Sequence, residues 1–189
     1  MADWLLPAVR AVRNGAQRLI DSRTDAEGVA SRDGILAGRP VRHFVPDQVQ
    51  VGCSKLYFHG GGFITGGLDS HHGLCGRLAL HLRMPLVMAS YRLAPEHPAP
   101  AQLDDALTVT CAMAASNDRL LIGGDSAGAW LALRCALDLH QTAPARIGAP
   151  AISFCRSGGT ARYVAALCPA GSGADAGRTG SGLSVVVDV

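Results

Sequence analysis

The chain is short of charge of one sign, of lysine, of aromatic residues and of long apolar runs. Seventeen basic side chains stand against 15 acidic ones in 189 residues, a net charge of +2. That balance, without a basic stripe, lacks the positive field a phosphate backbone needs, so nucleic acid is not an expected partner. No apolar stretch approaches the roughly 20 residues of a membrane span, and Arg10 and Arg13 interrupt the segment where a signal peptide would need its apolar core. A protein without a membrane span, placed in the cytoplasm, is the expectation. Six cysteines, Cys53, Cys75, Cys111, Cys135, Cys155 and Cys168, include no C-x-x-C pair. Neither a zinc ribbon nor a compact disulfide framework fits, and they read as reduced, buried small hydrophobes. Of the basic residues only Lys55 is lysine, which with abundant Ala, Gly and Arg suggests a coding sequence rich in G and C.

What is present divides the chain into three parts. In residues 1–40, Leu5, Val9, Val12, Ala16 and Leu19 recur at helical spacing, which predicts an amphipathic helix from Ala2 to about Ile20, placed like a lid, whose apolar stripe covers something. Asp21 to Pro40 is polar, with Gly28, Gly34 and Gly38, and reads as a linker. Residues 41–142 alternate strands and helices. Val41 to Val45, Lys55 to Phe58, Pro85 to Ser90 and Leu120 to Ile122 read as strands, the last two buried on both faces of a parallel sheet. Leu74, Leu78 and Leu82 mark one helix face, Leu103, Ala106, Leu107 and Thr110 a second, Trp130, Leu133 and Leu137 a third. The expected class is α/β with right-handed crossovers. Residues 143–189 hold no Lys, Glu or His and are dominated by Gly, Ala and Ser from Gly171 to Gly182, so no fold is assigned to them.

Three segments carry the chemistry. Gly124-Asp125-Ser126-Ala127-Gly128 lies between a buried strand and an amphipathic helix, the context of a nucleophile elbow. Small flanking residues let strand and helix approach while the serine sits in a strained turn with its hydroxyl outward. A plain strand-to-helix turn is the bland alternative. His59-Gly60-Gly61-Gly62 ends the strand at Phe58, and such a glycine run can turn N–H groups toward an oxygen that gains negative charge. A phosphate-cradling loop would need a following lysine or a G-x-G-x-x-G pattern, and neither is there. His59 reads as holding its loop in preference to acting as a base. Tyr91-Arg92-Leu93-Ala94-Pro95-Glu96-His97 is a proline-punctuated loop in which Glu96 and His97 could form a metal or acid/base pair, with loop stabilisation the favoured role.

In this order the three segments strongly resemble the hormone-sensitive-lipase-like branch of the α/β-hydrolase superfamily, the esterases and acetyl-hydrolases. The resemblance covers roughly Ala2 to Gln141. It implies the α/β-hydrolase fold, Ser126 as nucleophile, the N–H groups of Gly61, Gly62 and Ala127 as oxyanion hole, and the N-terminal helix as part of a cap. It further implies short- to medium-chain carboxylic esters as substrates, with no metal and no organic cofactor.

The chain departs from that pattern after Ser126. The fold expects an acid and then a histidine downstream. Only His140 and the acids Asp138, Asp175 and Asp188 follow. At 1.5 Å rise per residue, Asp138 and His140 lie roughly 18–21 Å from the elbow, and no histidine follows Asp175. An upstream histidine, His59 or His97, would need a rearranged site. Without a base the serine is a poor nucleophile. The expectations are an esterase lineage with impaired catalysis, a non-catalytic module that binds acyl groups or esters, or a half-enzyme completed by a partner chain. The tail is expected to record a frameshift or premature end near residues 142–150, with true divergence as the alternative. Loss of strands beside the elbow strand, together with the apolar Leu183 to Val187, predicts self-association through an exposed sheet edge.

Overall fold

A computed structural model of the chain describes residues 7–9, 11–13, 15, 25–49, 54–117, 120–142, 162–167 and 183–188, with backbone alone for 140, 142 and the last two segments. Residues 7–9, 11–13 and 15 are helical, within the expected N-terminal helix. Its apolar stripe is not wholly covered: Val12 is 70% exposed.

The expected linker from Asp21 to Pro40 is corrected by the structure. β1 (Val29–Leu36) lies inside it and pairs antiparallel with β2 (Arg39–Pro46), from Val29 opposite Pro46 to Leu36 opposite Arg39. Ala37 and Gly38, with φ of 49° and 76°, form the two-residue turn, and positive φ at both positions matches the right-handed twist of a hairpin. β1 ends one side of the sheet and most of its side chains face water, so it carries no apolar alternation for the sequence to show.

The remaining strands fall where the apolar runs placed them. β3 (Ser54–Phe58), β4 (Leu86–Ala89) and β5 (Leu120–Gly124) complete a five-stranded sheet in the order β1-β2-β4-β3-β5. β3 pairs parallel with both β4 and β5, while β2 pairs antiparallel with β4. β4 and β5 are buried throughout, which is why they read as unbroken apolar runs.

Helices cover both faces. α1 (His72–Leu82) packs with Phe44, Tyr57, Leu86 and Met88, while α2 (Ala101–Ser116) and α3 (Ala127–Thr142) pack on the opposite face with Val41, Leu56, Phe58, Leu120 and Ile122. The period of two along β3 sends Tyr57 to one core and Leu56 and Phe58 to the other. Each such fully buried side chain contributes roughly 1.5–3 kcal/mol.

One helix face is corrected, and a second is borne out in part. α3 buries Leu131, Ala132, Cys135, Ala136 and Leu139, whereas Trp130, Leu133 and Leu137 are 52%, 39% and 50% exposed. The helix is apolar nearly all round, so two stripes fit the same spacing. In α2, Ala106 and Thr110 are buried as expected, but Leu103 and Leu107 are only partly so, and Asp105 and Val109 take the inner positions. Cys75 and Cys135 are buried thiols, Cys111 is exposed, and these three are free. Cys53, Cys155 and Cys168 lie outside the residues with described side chains.

The segment given no fold carries two strands, β6 (Arg162–Leu167) and β7 (Leu183–Asp188), paired antiparallel with Leu167 opposite Leu183. Among the described residues no helix is long and apolar enough to cross a membrane.

Candidate active site

The site is built where β3 and β5 end side by side, with Phe58 opposite Gly124. β5 closes at Gly124, α3 opens at Ala127, and Asp125 and Ser126 make the turn between them. Ser126 has φ of 49°, a left-handed conformation that costs a non-glycine residue about 1–3 kcal/mol and persists only when its surroundings hold it. The first turn of α3 does so. Gly128 N–H donates to Asp125 O at 2.8 Å, and Trp130 N–H donates to Ser126 O at 3.3 Å. A Cβ on Gly128 would collide with Phe58 O and lie 2.6 Å from His59 O, so the helix can approach the end of β3 only with glycine there. Gly124 meets the same limit from the other side, 2.5 Å from Phe58 O. Ser126 itself is exposed.

The glycine turn is tied to this elbow by Asp125. Its Oδ1 accepts from Gly60 N–H at 2.8 Å and from Tyr57 O–H at 3.0 Å, and His71 Nε2 lies 3.3 Å from Oδ2. Burial pushes the Asp125 carboxyl up, but the hydrogen bonds from His71, Tyr57 and Gly60 outweigh it and leave the group below the ordinary carboxylate range. Asp125 is therefore an ionised acceptor that locks loop to elbow.

Inside the turn, Gly61 O accepts from Ile64 N–H at 3.1 Å and Thr65 N–H at 3.0 Å. Gly61 and Gly62 have φ of 116° and 62°. Among the described residues no hydrogen bond engages the N–H of Gly61, Gly62 or Ala127. Three backbone donors thus stay available around the elbow, one of them at the positive end of α3.

His59 is fully buried and stacks on Tyr91 at 4.3 Å between ring centroids, with the rings 9° from parallel. Its Nδ1 donates to Gly60 O at 2.8 Å, and Tyr91 O–H donates to His59 O at 2.7 Å. Burial pushes the imidazole down to about 4, so it is neutral near neutral pH. Among the described residues its Nε2 has no partner. This geometry suits a ring that braces its loop.

The loop after β4 is held by charge. Arg92 donates to Asp105 from its backbone N–H at 2.9 Å and from its guanidinium, and Arg39 adds a contact at 3.2 Å. Glu96 faces Arg13 in a two-point pair at 2.8 Å, so its carboxylate is directed at a guanidinium. His97 is exposed, and its carbonyl accepts from Gln102 Nε2. Among the described residues no three His, Cys, Asp or Glu side chains gather as a metal site.

No described side chain hydrogen-bonds the Ser126 hydroxyl. Asp138 pairs with Arg134 far along α3. The side chain of His140, Asp175, and the side chain of Asp188 at the end of β7 lie outside the description. A cavity of about 490 Å³, lined by Gly28, Asp47, Gln48, Leu80, His81 and Arg83, sits near the starts of β3 and β4, the opposite end of the parallel strands from Ser126. One site residue escaped the sequence reading. His71 stands next to α1 and meets Asp125 across 54 positions, and its only sequence signal is the Ser70-His71-His72 run before that helix.

Residues 55–180 match the family described as alpha/beta hydrolase fold. That match runs past residue 142, beyond the reach of the motif resemblance. The chain is 44% identical over 94 residues to Esterase LipI of Mycobacterium tuberculosis, covering 46% of this chain and 29% of that protein. It is 39% identical over 114 residues to an ethyl acetate hydrolase of Pseudomonas putida, covering 55% of this chain and 35% of that one. Among solved structures, the hormone-sensitive-lipase homologue EstE7 from a metagenome library superposes with a TM-score of 0.65 at 34% identity, over 74% of this chain and 48% of that chain. The chain thus spans about a third of the length of these curated relatives and about half of the solved structure.

Proposed function

The chain belongs to the alpha/beta-hydrolase-fold family, and on that premise we propose that it is a serine hydrolase of carboxylic esters, with Ser126 as nucleophile and the N–H groups of Gly61, Gly62 and Ala127 as oxyanion hole. The observation that carries this reading is the strained Ser126, with three backbone N–H groups of the glycine turn and the start of α3 that no described residue engages. The name of one similar protein, an esterase, supports ester substrates, and that of another, an ethyl acetate hydrolase, supports a short acyl chain.

In this reading Ser126 Oγ bonds to the ester carbonyl carbon and the carbonyl π pair moves onto oxygen, where the three N–H groups receive it. Collapse of that intermediate breaks the C–O bond, and the alcohol departs with a proton. Water then attacks the acyl-serine and releases the carboxylic acid. Backbone N–H groups receive the negative charge in this step, which as proposed calls for no metal or organic cofactor. With no described imidazole against Ser126, its proton passes to solvent, and turnover is impaired. Oxyanion hole and binding alone support about 10³–10⁴-fold over the water reaction.

A second reading is a module that binds esters or acyl groups without turnover, favoured by the absence of a described base at Ser126. A half-enzyme completed by another chain is a third, in which β5, an end strand of the sheet among the described residues, also serves self-association. The reading places the protein in the cytoplasm, where the free Cys75, Cys111 and Cys135 stay reduced.

Release of p-nitrophenol from p-nitrophenyl acetate, measured beside Ser126→Ala, tests the proposal. Slow turnover that depends on Ser126 is expected. Equal rates in the two proteins sink the hydrolase reading and leave the binding module. Turnover that rises more steeply than protein concentration singles out the shared site.

A further inference from the structure

His71 stands outside the nucleophile and its donors, yet both of its ring nitrogens are engaged. Nε2 lies 3.3 Å from Asp125 Oδ2 and 3.2 Å from Oδ1. Nδ1 lies 2.8 Å from Ser70 Oγ. An ionised carboxylate only accepts, so Nε2 carries a hydrogen and donates it to Asp125. On the other side, Ser70 Oγ accepts from Gly67 N–H and lies within donating reach of Gly67 O, both at 3.0 Å.

These contacts bracket one loop. Its first residue, Gly60, is held through its N–H on Asp125 Oδ1, and its last, Gly67, through Ser70. Gly61 and Gly62 lie between the two anchors. Ser70 is buried and the His71 side chain only 13% exposed, so water competes little for these bonds. Arg42 reinforces the loop just before Ser70, donating to Leu68 O at 3.1 Å and to Asp69 Oδ1 at 2.9 Å.

We propose that His71 is a positioning residue that clamps both ends of the 60–67 loop, through Asp125 at Gly60 and through Ser70 at Gly67, and thereby fixes where the Gly61 and Gly62 N–H groups point. Its kinetic consequence rests on the ester-hydrolase reading; its structural consequence does not. Donors that meet full negative charge only in the transition state affect kcat more than ester binding.

The variants separate the two arms. His71→Gln keeps an N–H donor at the reach of Nε2, whereas His71→Asn is shorter and loses Asp125. Amide hydrogen exchange read by mass spectrometry is expected to quicken over residues 60–62 in His71→Asn and to stay near the parent rate in His71→Gln. Ser70→Ala is expected to quicken exchange at the Gly67 end alone. With p-nitrophenyl acetate, His71→Asn should lose about 10-fold or more in kcat with KM within about twofold, and His71→Gln should recover most of it. Equal exchange over 60–62 in the Asn and Gln variants overturns the clamp, and so does a loss confined to KM. Should even the parent chain show no serine-dependent turnover, the hydrolase reading fails, and the exchange pattern alone decides the clamp. Should His71→Asn not fold, Ser70→Ala decides it: unchanged exchange at Gly67 overturns the clamp.

Discussion

Arg13 and Glu96, 83 residues apart, meet in a two-point ion pair, with Nη1 2.8 Å from Oε2 and Nη2 2.8 Å from Oε1. The pair joins the N-terminal helical stretch to the loop after β4, and Ala94 N–H in that loop donates to Phe63 O at 2.8 Å, beside the glycine turn. Both side chains are about a fifth exposed, so solvent screens the pair only in part. A double-mutant cycle with Arg13→Ala and Glu96→Ala is expected to give a coupling of about 0.5–1.5 kcal/mol that shrinks at high salt. Additive effects would show that the contact ties nothing down.

Gly128 is the second test, because it reports how closely β3 and α3 approach. Gly128→Ala places a methyl group against the Phe58 and His59 carbonyls, which are backbone and cannot rotate away. A loss of about 3 kcal/mol or more in urea unfolding is expected. A variant as stable as the parent would mean that the elbow is looser than this packing.

The same contrast explains which parts of the molecule the sequence displayed. Gly124 and Gly128 were legible because a close backbone approach is a local demand met by one residue type. β4 and β5 were legible because burial on both faces leaves an unbroken apolar run. β1 was not, since an exposed end strand is specified by its pairing with β2 and by the Ala37-Gly38 turn, with no stripe of its own. The inner face of α3 was misread because Leu131, Cys135 and Leu139 share their helix with the equally apolar Trp130, Leu133 and Leu137. His71 was missed because its meaning lies in Asp125, and only the fold brings the two together.

Lys55 offers a pH test of the core. It is 5% exposed on β3, and its Nζ lies 5.9 Å from the Tyr57 ring centroid, a contact that offsets part of the cost of burying charge. Burial pushes the amine down to about 8. Between about 8 and the ordinary lysine value near 10.4, the unfolded chain binds more protons than the folded one, so stability rises with pH across that window. Lys55→Met should be more stable than the parent at neutral pH by about 2 kcal/mol and should flatten this rise. An unchanged slope between pH 8 and 10 would show that Lys55 reaches solvent.

Acid acts in the opposite sense through Asp105 and Asp125. Burial pushes the Asp105 carboxyl up, but hydrogen bonds from the Arg92 side chain and backbone and the nearby Arg39 outweigh it, and the group ends below its ordinary value. Asp125 ends below its own in the same way. A carboxyl whose folded value is depressed contributes stability that is present above the unfolded value near 3.9 and lost as pH falls through the folded one. Stability should therefore hold from neutrality to about pH 5 on this account and fall below about pH 4. Asp105→Asn should cost about 1–3 kcal/mol at pH 7, because Arg92 and Arg39 lose their anion, and should lessen the fall below pH 4. Urea unfolding at pH 7, 4 and 3 checks both. A variant that keeps the parent's full acid sensitivity would assign that sensitivity to other carboxyls, Asp125 first among them.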